Sequence, residues 1–263
     1  MVNWSAKSSY TCKDLEEIVR ILRHPGGCPW DQEQTHQSIR RNFLEESYEV
    51  AEAIDNGDVD GLKEELGDVL LQVFFHTSIE EDAGRFTLDD VADGVCKKLI
   101  YRHPHVFGDV TVDSTDQVLS NWEELKKKEK HQDTQADAVD AVARTLPALW
   151  RAEKVKKKAA KTGFDWSDIS GALDKLSEEL DELKAAALNG EGDPAEELGD
   201  LLLAAVSVGR FLNADPEDAL HAACDKFSAR FRKTEELVTE RGLKMDKLSE
   251  EELHNLWVEA KHS

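Results

Sequence analysis

Glu65 and Asp68 lie three residues apart at the head of a strongly apolar stretch, and Glu197 and Asp200 repeat the arrangement later in the chain. Both pairs sit in the same pentapeptide, EELGD, at 64–68 and 196–200, followed by VLLQVFF and LLLAAVSV. Placed on a helix at about 100° per residue, Leu66, Val69, Leu70, Leu71, Val73, Phe74 and Phe75 spread around the whole circumference. Such a helix is expected to be buried on all sides. Its polar positions after the first turn, Glu65, Asp68 and Gln72, fall on one narrow stripe, and Glu197 and Asp200 take the same stripe beside Ala204. An uncompensated buried carboxylate costs roughly several kcal/mol, so these acids call for cations.

A second helix supplies more acid. Glu46 and Glu49 in EESYE (45–49) share a face, as do Glu179 and Glu182 in EELDE (178–182). Taken alone, either pair also suits a solvated surface. A short turn at Asn56-Gly57 would make the two helices antiparallel neighbours and gather Glu46, Glu49, Glu65 and Asp68 between them. The second copy would gather Glu179, Glu182, Glu197 and Asp200. An all-oxygen set without His or Cys selects a hard cation, Mg²⁺, with Mn²⁺ as a substitute.

The elements that must position these acids are helices. Prolines number only six, and alternating strand patterns are scarce. Helical patterns cover 14–23, 38–55, 62–82, 88–101 and 116–130, then 147–161, 168–188, 194–212, 216–241 and 249–261. Asp193-Pro194 and Asp215-Pro216 place a capping acid before a proline at the first helical position. Asp193 with Glu196 fits a capping box, which accounts for Glu196 without a metal role. The expected architecture is all-α: two duplicated helical domains, 1–130 and 145–263, joined by a polar linker at 131–144.

The duplication extends beyond the acids. Lys98 and Arg102 are answered by Lys226 and Arg230, at the same spacing of four. Trp122 and Lys126 are answered by Trp257 and Lys261. The basic pairs suit phosphate oxygens or an ordinary ion-pairing face. The tryptophans suit stacking on a base or packing in a core. His103 and His105 flank a proline and read as loop structure.

The formal net charge of −22 opposes binding to long nucleic acid, while leaving room for a small phosphorylated ligand bridged by a divalent cation. Cys12, Cys28, Cys96 and Cys224 are widely spaced, which favours free thiols in a reducing compartment. The polar N-terminus lacks a signal-like apolar region, and no run reaches the ~20 residues that span a bilayer. A cytoplasmic protein without membrane contact is expected.

The pattern EExxE followed by ExxD resembles the all-α nucleoside triphosphate pyrophosphohydrolase superfamily. CPWD (28–31), LEESYEV (44–50), EELGD (64–68), RHPHVF (102–107), LPALWRAEKV (146–155), GFDW (163–166) and the second EELGD resemble the two-domain MazG family over nearly the whole chain. That resemblance implies Mg²⁺-dependent attack of water on the α-phosphorus of a nucleoside triphosphate, releasing monophosphate and pyrophosphate. It also implies clearance of non-canonical or surplus nucleotides, and a homodimer whose four-helix bundles complete the sites. Carried over by position, the metal ligands are Glu46, Glu49, Glu65 and Asp68 in one copy, and Glu179, Glu182, Glu197 and Asp200 in the other. Glu45 and Glu178, first in their motifs, either orient and deprotonate the attacking water or are surface acids.

Other chemistries fit less well. A P-loop would need a Gly-Lys dipeptide, which the chain lacks. A di-iron or di-manganese bundle needs Glu-x-x-His within its helices, and Glu251–His254 has that spacing outside the repeated blocks. A non-enzymatic acidic helical dimer serving as a protein-interaction scaffold is the remaining alternative.

Overall fold

The computed structural model describes residues 4–129 and 134–262, and among them every regular element is helical. By internal contacts the chain divides into two compact units, residues 1–125 and 126–263.

The first unit opens with α1 (Cys12–Arg23), started by a Thr11–Asp14 capping box, and the single-turn α2 (Pro29–Gln32). Two long helices follow, α3 (His36–Asp55) and α4 (Val59–Asp82). Asn56 ends α3, Gly57 takes a left-handed φ of 64°, and Asp58 caps α4 by accepting from the Gly61 N–H. This tight turn folds the helices back on each other, so that His36 at the start of α3 meets Glu80 near the end of α4. Val19, Ile39, Phe74 and Phe75 form the core between α1, α3 and α4, with Leu15, Leu70, Leu71, Ile79 and Leu88 packed against it. Burying each phenylalanine contributes about 1.5–3 kcal/mol. The unit continues with α5 (Leu88–Arg102), α6 (Pro104–Phe107) and α7 (Thr115–Glu129), the last of which runs across the boundary between units.

The second unit contains α8 (Gln135–Asp140), α9 (Ala148–Ala160), α10 (Ile169–Asn189), α11 (Pro194–Phe211), α12 (Pro216–Glu240) and α13 (Glu250–His262). Gly190, at φ 73°, closes α10, and Asp193 caps α11. The pair α10–α11 therefore repeats the hairpin α3–α4. Its buried side chains are smaller: Ala172, Ala186, Ala204 and Val206.

Three expectations need correction. The helix after Asp58 is not covered on all sides within its unit. Leu66 is 51% exposed, because α1 and α3 shield only the other faces. His103 is the non-helical link expected, but His105 is not loop: Pro104 occupies the first position of α6, where its missing N–H costs nothing. The stretch 131–144 is not simply a linker. Residues 131–133 lie outside the described residues, but α8 begins at a Thr134–Asp137 capping box, buries Ala138, and packs on α9. Its Gln135 side chain donates to the Lys158 carbonyl at 2.6 Å. A helix this short gives little periodic signal, so its polar residues read as linker. No described helix is long and apolar enough to cross a membrane.

Candidate metal centres

Each hairpin presents an acidic cluster near its turn. In the first, one carboxylate oxygen from each of Glu46, Glu49 and Glu65 lies within 4.8 Å of the others. Glu46 and Glu65 are half-buried and Glu49 is exposed. Helical spacing puts Glu46 and Glu49 one turn apart on α3, and the tight turn brings Glu65 and Asp68 of α4 alongside. Burial first, then the charges of Asp68 and Glu49, hold the Glu46 carboxyl above its ordinary pKa. Glu65 is raised by burial and by Glu49. Such mutual elevation is what carboxylates do when crowded without a counter-ion. Asp68 is thus an electrostatic neighbour of Glu46 and Glu65, though outside the tight three-oxygen set.

In the second hairpin the tight set is Glu179, Glu197 and Asp200. Glu179 is buried, Glu197 half-buried and Asp200 exposed. Here Glu182 is the outlying acid, raised by burial and by Glu179, while Lys175 pulls it the other way. The Lys175 ammonium lies 2.8 Å from Glu178 Oε1 and 2.8 Å from Glu179 Oε1, and these bonds hold its pKa above the usual lysine range.

Beside this second cluster opens a cavity of about 450 Å³, lined by Phe164, Trp166, Lys175, Glu179, Asp200 and Ser207 among others. Small residues make the space: Ala172 and Ala204 also line it. Gly171 lets Trp166 lie close, since a Cβ there would meet the indole Cε3 at 2.9 Å.

The matching part of the first hairpin is filled with polar groups. In repeat register Ala204 corresponds to Gln72, Val208 to His76, Leu212 to Glu80 and Ile169 to His36. The His36 and His76 rings stack at 5.0 Å, with their Nδ1 atoms 2.7 Å apart. Glu80 accepts from Arg85 Nη2 at 2.7 Å and bonds His36 Nε2. Bonds from Arg85 and then His36 pull the Glu80 carboxyl down to about 2. Burial, then His36, lowers the pKa of His76.

The remaining expected site residues lie elsewhere. Glu45 is exposed and paired with Arg41 at 2.8 Å, and Glu178 is paired with Lys175. None of Lys98, Arg102, Trp122, Lys126, Lys226, Arg230, Trp257 and Lys261 lines the cavity. Lys98, Lys226 and Lys261 are exposed, and Arg230 and Lys126 are half-buried. Arg102 is no open phosphate contact in this chain: it is buried, with its guanidinium 5.6 Å from the centre of the Trp122 ring. Trp257 is half-buried and packs on Phe227, which is itself exposed, with ring centroids 5.1 Å apart. Lys175 and Phe164 did not stand out in the sequence. Aligning the two repeats residue by residue, which sets Lys175 against Asn42, is the signal that exposes Lys175.

Comparison with known proteins places this geometry in context. A family model described as the MazG nucleotide pyrophosphohydrolase domain matches residues 34–107, which hold the first hairpin. A nucleoside triphosphate pyrophosphohydrolase of Escherichia coli (strain K12) is 43% identical over 251 residues, covering 94% of this chain and 95% of its own. The nucleoside triphosphate pyrophosphohydrolase/pyrophosphatase MazG of Thermotoga maritima is 44% identical over 252 residues, covering 95% of both. An uncharacterized protein of Bacillus subtilis (strain 168), YabN, is 48% identical over 251 residues, or 95% of this chain and 51% of YabN.

Proposed function

The chain belongs to the MazG nucleotide pyrophosphohydrolase family, and on that premise we propose that it hydrolyses nucleoside triphosphates to monophosphate and pyrophosphate with Mg²⁺. The observation that carries this reading is the pair of duplicated carboxylate clusters, each with three oxygens gathered within 4.8 Å. The donor set fits the ion: all oxygen, no His or Cys, and in the first cluster two carboxyls raised by burial and then by neighbouring negative charge, which a dication would offset. Mn²⁺ suits the same donors.

The ligands we assign are Glu46, Glu49, Glu65 and Asp68 in the first unit, and Glu179, Glu182, Glu197 and Asp200 in the second. When held there, Mg²⁺ would supply charge neutralisation for a triphosphate and Lewis acidity towards the attacking water. Water oxygen attacks the α-phosphorus, the bond to the bridging oxygen breaks, and pyrophosphate departs with the electron pair. Glu45 and Glu178, at the rim of their clusters, orient the water and take its proton. The cavity beside the second cluster, with the Phe164 and Trp166 rings in its wall, accommodates the nucleoside. A homodimer completes the bundles and covers the exposed α4 face around Leu66, and it brings Lys98, Lys226 and Lys261 to the phosphates. The role that follows is removal of non-canonical or surplus nucleotides in the cytoplasm.

The test is pyrophosphate release from a panel of nucleoside triphosphates by the full chain, with and without Mg²⁺. Metal-dependent release from the wild type, lost in Glu65→Ala/Glu197→Ala with helicity intact, is the expected result. A folded wild type that releases no pyrophosphate from any of them would leave the acidic scaffold as the better account.

A further inference from the structure

The two clusters carry the same acids and different charges. In the register that equates Glu46 with Glu179, Asn42 corresponds to Lys175. Lys175 sits one turn before Glu179, and its ammonium bonds that buried carboxylate as well as Glu178, each at 2.8 Å. The Glu179 side chain is only 7% exposed, so the lysine is its standing counter-charge. The first cluster has nothing of the kind. Among the described residues Glu46, Glu49, Glu65 and Asp68 form no ion pair, and the nearby Arg41 pairs with Glu45 outside the tight set.

We propose that Lys175 makes the two centres unequal: without nucleotide, the first unit holds a divalent cation tightly and the second weakly, because the Lys175 ammonium competes for Glu179. This rests on the metal reading above. A dication entering the second cluster must displace the ammonium from Glu179 or sit within a few ångströms of it. Like-charge repulsion at that range, partly screened by water, weakens binding roughly tenfold or more. Asn42 is neutral and imposes no such penalty. Lys175 is therefore a positioning residue, one that sets the affinity of its centre through Glu179.

The experiment is a Mn²⁺ titration of the nucleotide-free full chain, with free Mn²⁺ followed by its electron paramagnetic resonance signal. Wild type is expected to show two classes of site differing about tenfold or more. Glu65→Ala should remove the tight class and Glu197→Ala the weak one. Lys175→Asn should tighten the weak class towards the strong one, and Asn42→Lys should weaken the strong class. Circular dichroism establishes that each variant is folded, and Lys175→Gln replaces Lys175→Asn if the latter is not. Two equal classes in wild type, or a weak class that neither neutral variant shifts, would overturn the inference and leave the metal reading standing. No Mn²⁺ bound at either cluster would overturn both.

Discussion

Glu46 and Glu179 occupy the same step of the same repeat, on helices that each turn back into an antiparallel partner, yet they lie in different surroundings. Along the first hairpin the acids lead into Gln72, the stacked His36–His76 pair and the Glu80–Arg85 ion pair. Along the second they lead into Ala172, Ala204 and a cavity. One hairpin has filled its interior with polar groups, among which His36, His76, Glu80 and Arg85 bond one another while the buried Gln72 Oε1 has no partner among the described residues, and the other has left room. The acids are the same in both repeats while their neighbours differ. A shared set of acids therefore does not imply a shared role, because cation affinity depends on charge within a few ångströms and substrate access on side-chain volume.

The largest expected effect comes from removing the acids themselves. The double variant Glu65→Ala/Glu197→Ala should lose at least about a hundredfold in kcat, since each centre loses a ligand that organises charge at the phosphate. The single variants break the comparison open. Equal loss from each would mean two working centres, and loss from Glu197→Ala alone would assign turnover to the unit with the cavity.

Core substitutions should separate the units next. Phe74→Ala is expected to destabilise the first unit by about 3–5 kcal/mol, while Val206→Ala in the second should cost about 1–3 kcal/mol, because less volume is removed. Calorimetry that shows the same single transition shifted equally by both would argue against units of independent stability.

Filling the cavity tests its purpose. Ala204→Gln installs the first hairpin's residue in the second and should raise KM for nucleoside triphosphate about tenfold, with Mn²⁺ binding unchanged. An unaltered KM would remove the nucleoside from that cavity.

The smallest effect concerns pH. His76 is lowered from its ordinary 6.5, so its contribution is present above pH 6.5 and is lost as pH falls through its folded value. Glu80 is lowered from 4.5 to about 2, so its contribution is complete above pH 4.5 and fades between there and about 2. Val208 and Leu212, which stand in their places in the second unit, do not titrate. Acid should therefore loosen the first hairpin around His36, His76 and Glu80 before the matching stretch of the second around Val208 and Leu212. Hydrogen exchange that loses protection in both hairpins together on acidification would contradict this.

Much of this was legible without coordinates. The α4 and α11 spans follow from apolar periodicity and capping residues, and the expected 194–212 differs from Pro194–Phe211 by one residue. The acids of both clusters were legible because i,i+3 spacing on a helix is local geometry, and repetition marks it as selected. What escaped were contacts between residues far apart in sequence. His36 and His76 are separated by forty positions, and nothing local in either segment announces that their rings stack. Arg102 read as a phosphate contact because charge is visible in sequence, whereas its burial over Trp122 is not.

Sequence alone thus determined the long helices, the repeated motifs and the acids within them, because propensity, capping and periodicity act over a few residues. Only the tertiary structure decided that Glu179 lies beside Glu197 and Asp200 of the next helix, that small residues leave a cavity there, and that Leu66 stays open to solvent. Those outcomes depend on which surfaces pack together and how completely they fill the space between them, and that is settled by volumes and charges brought together across the chain.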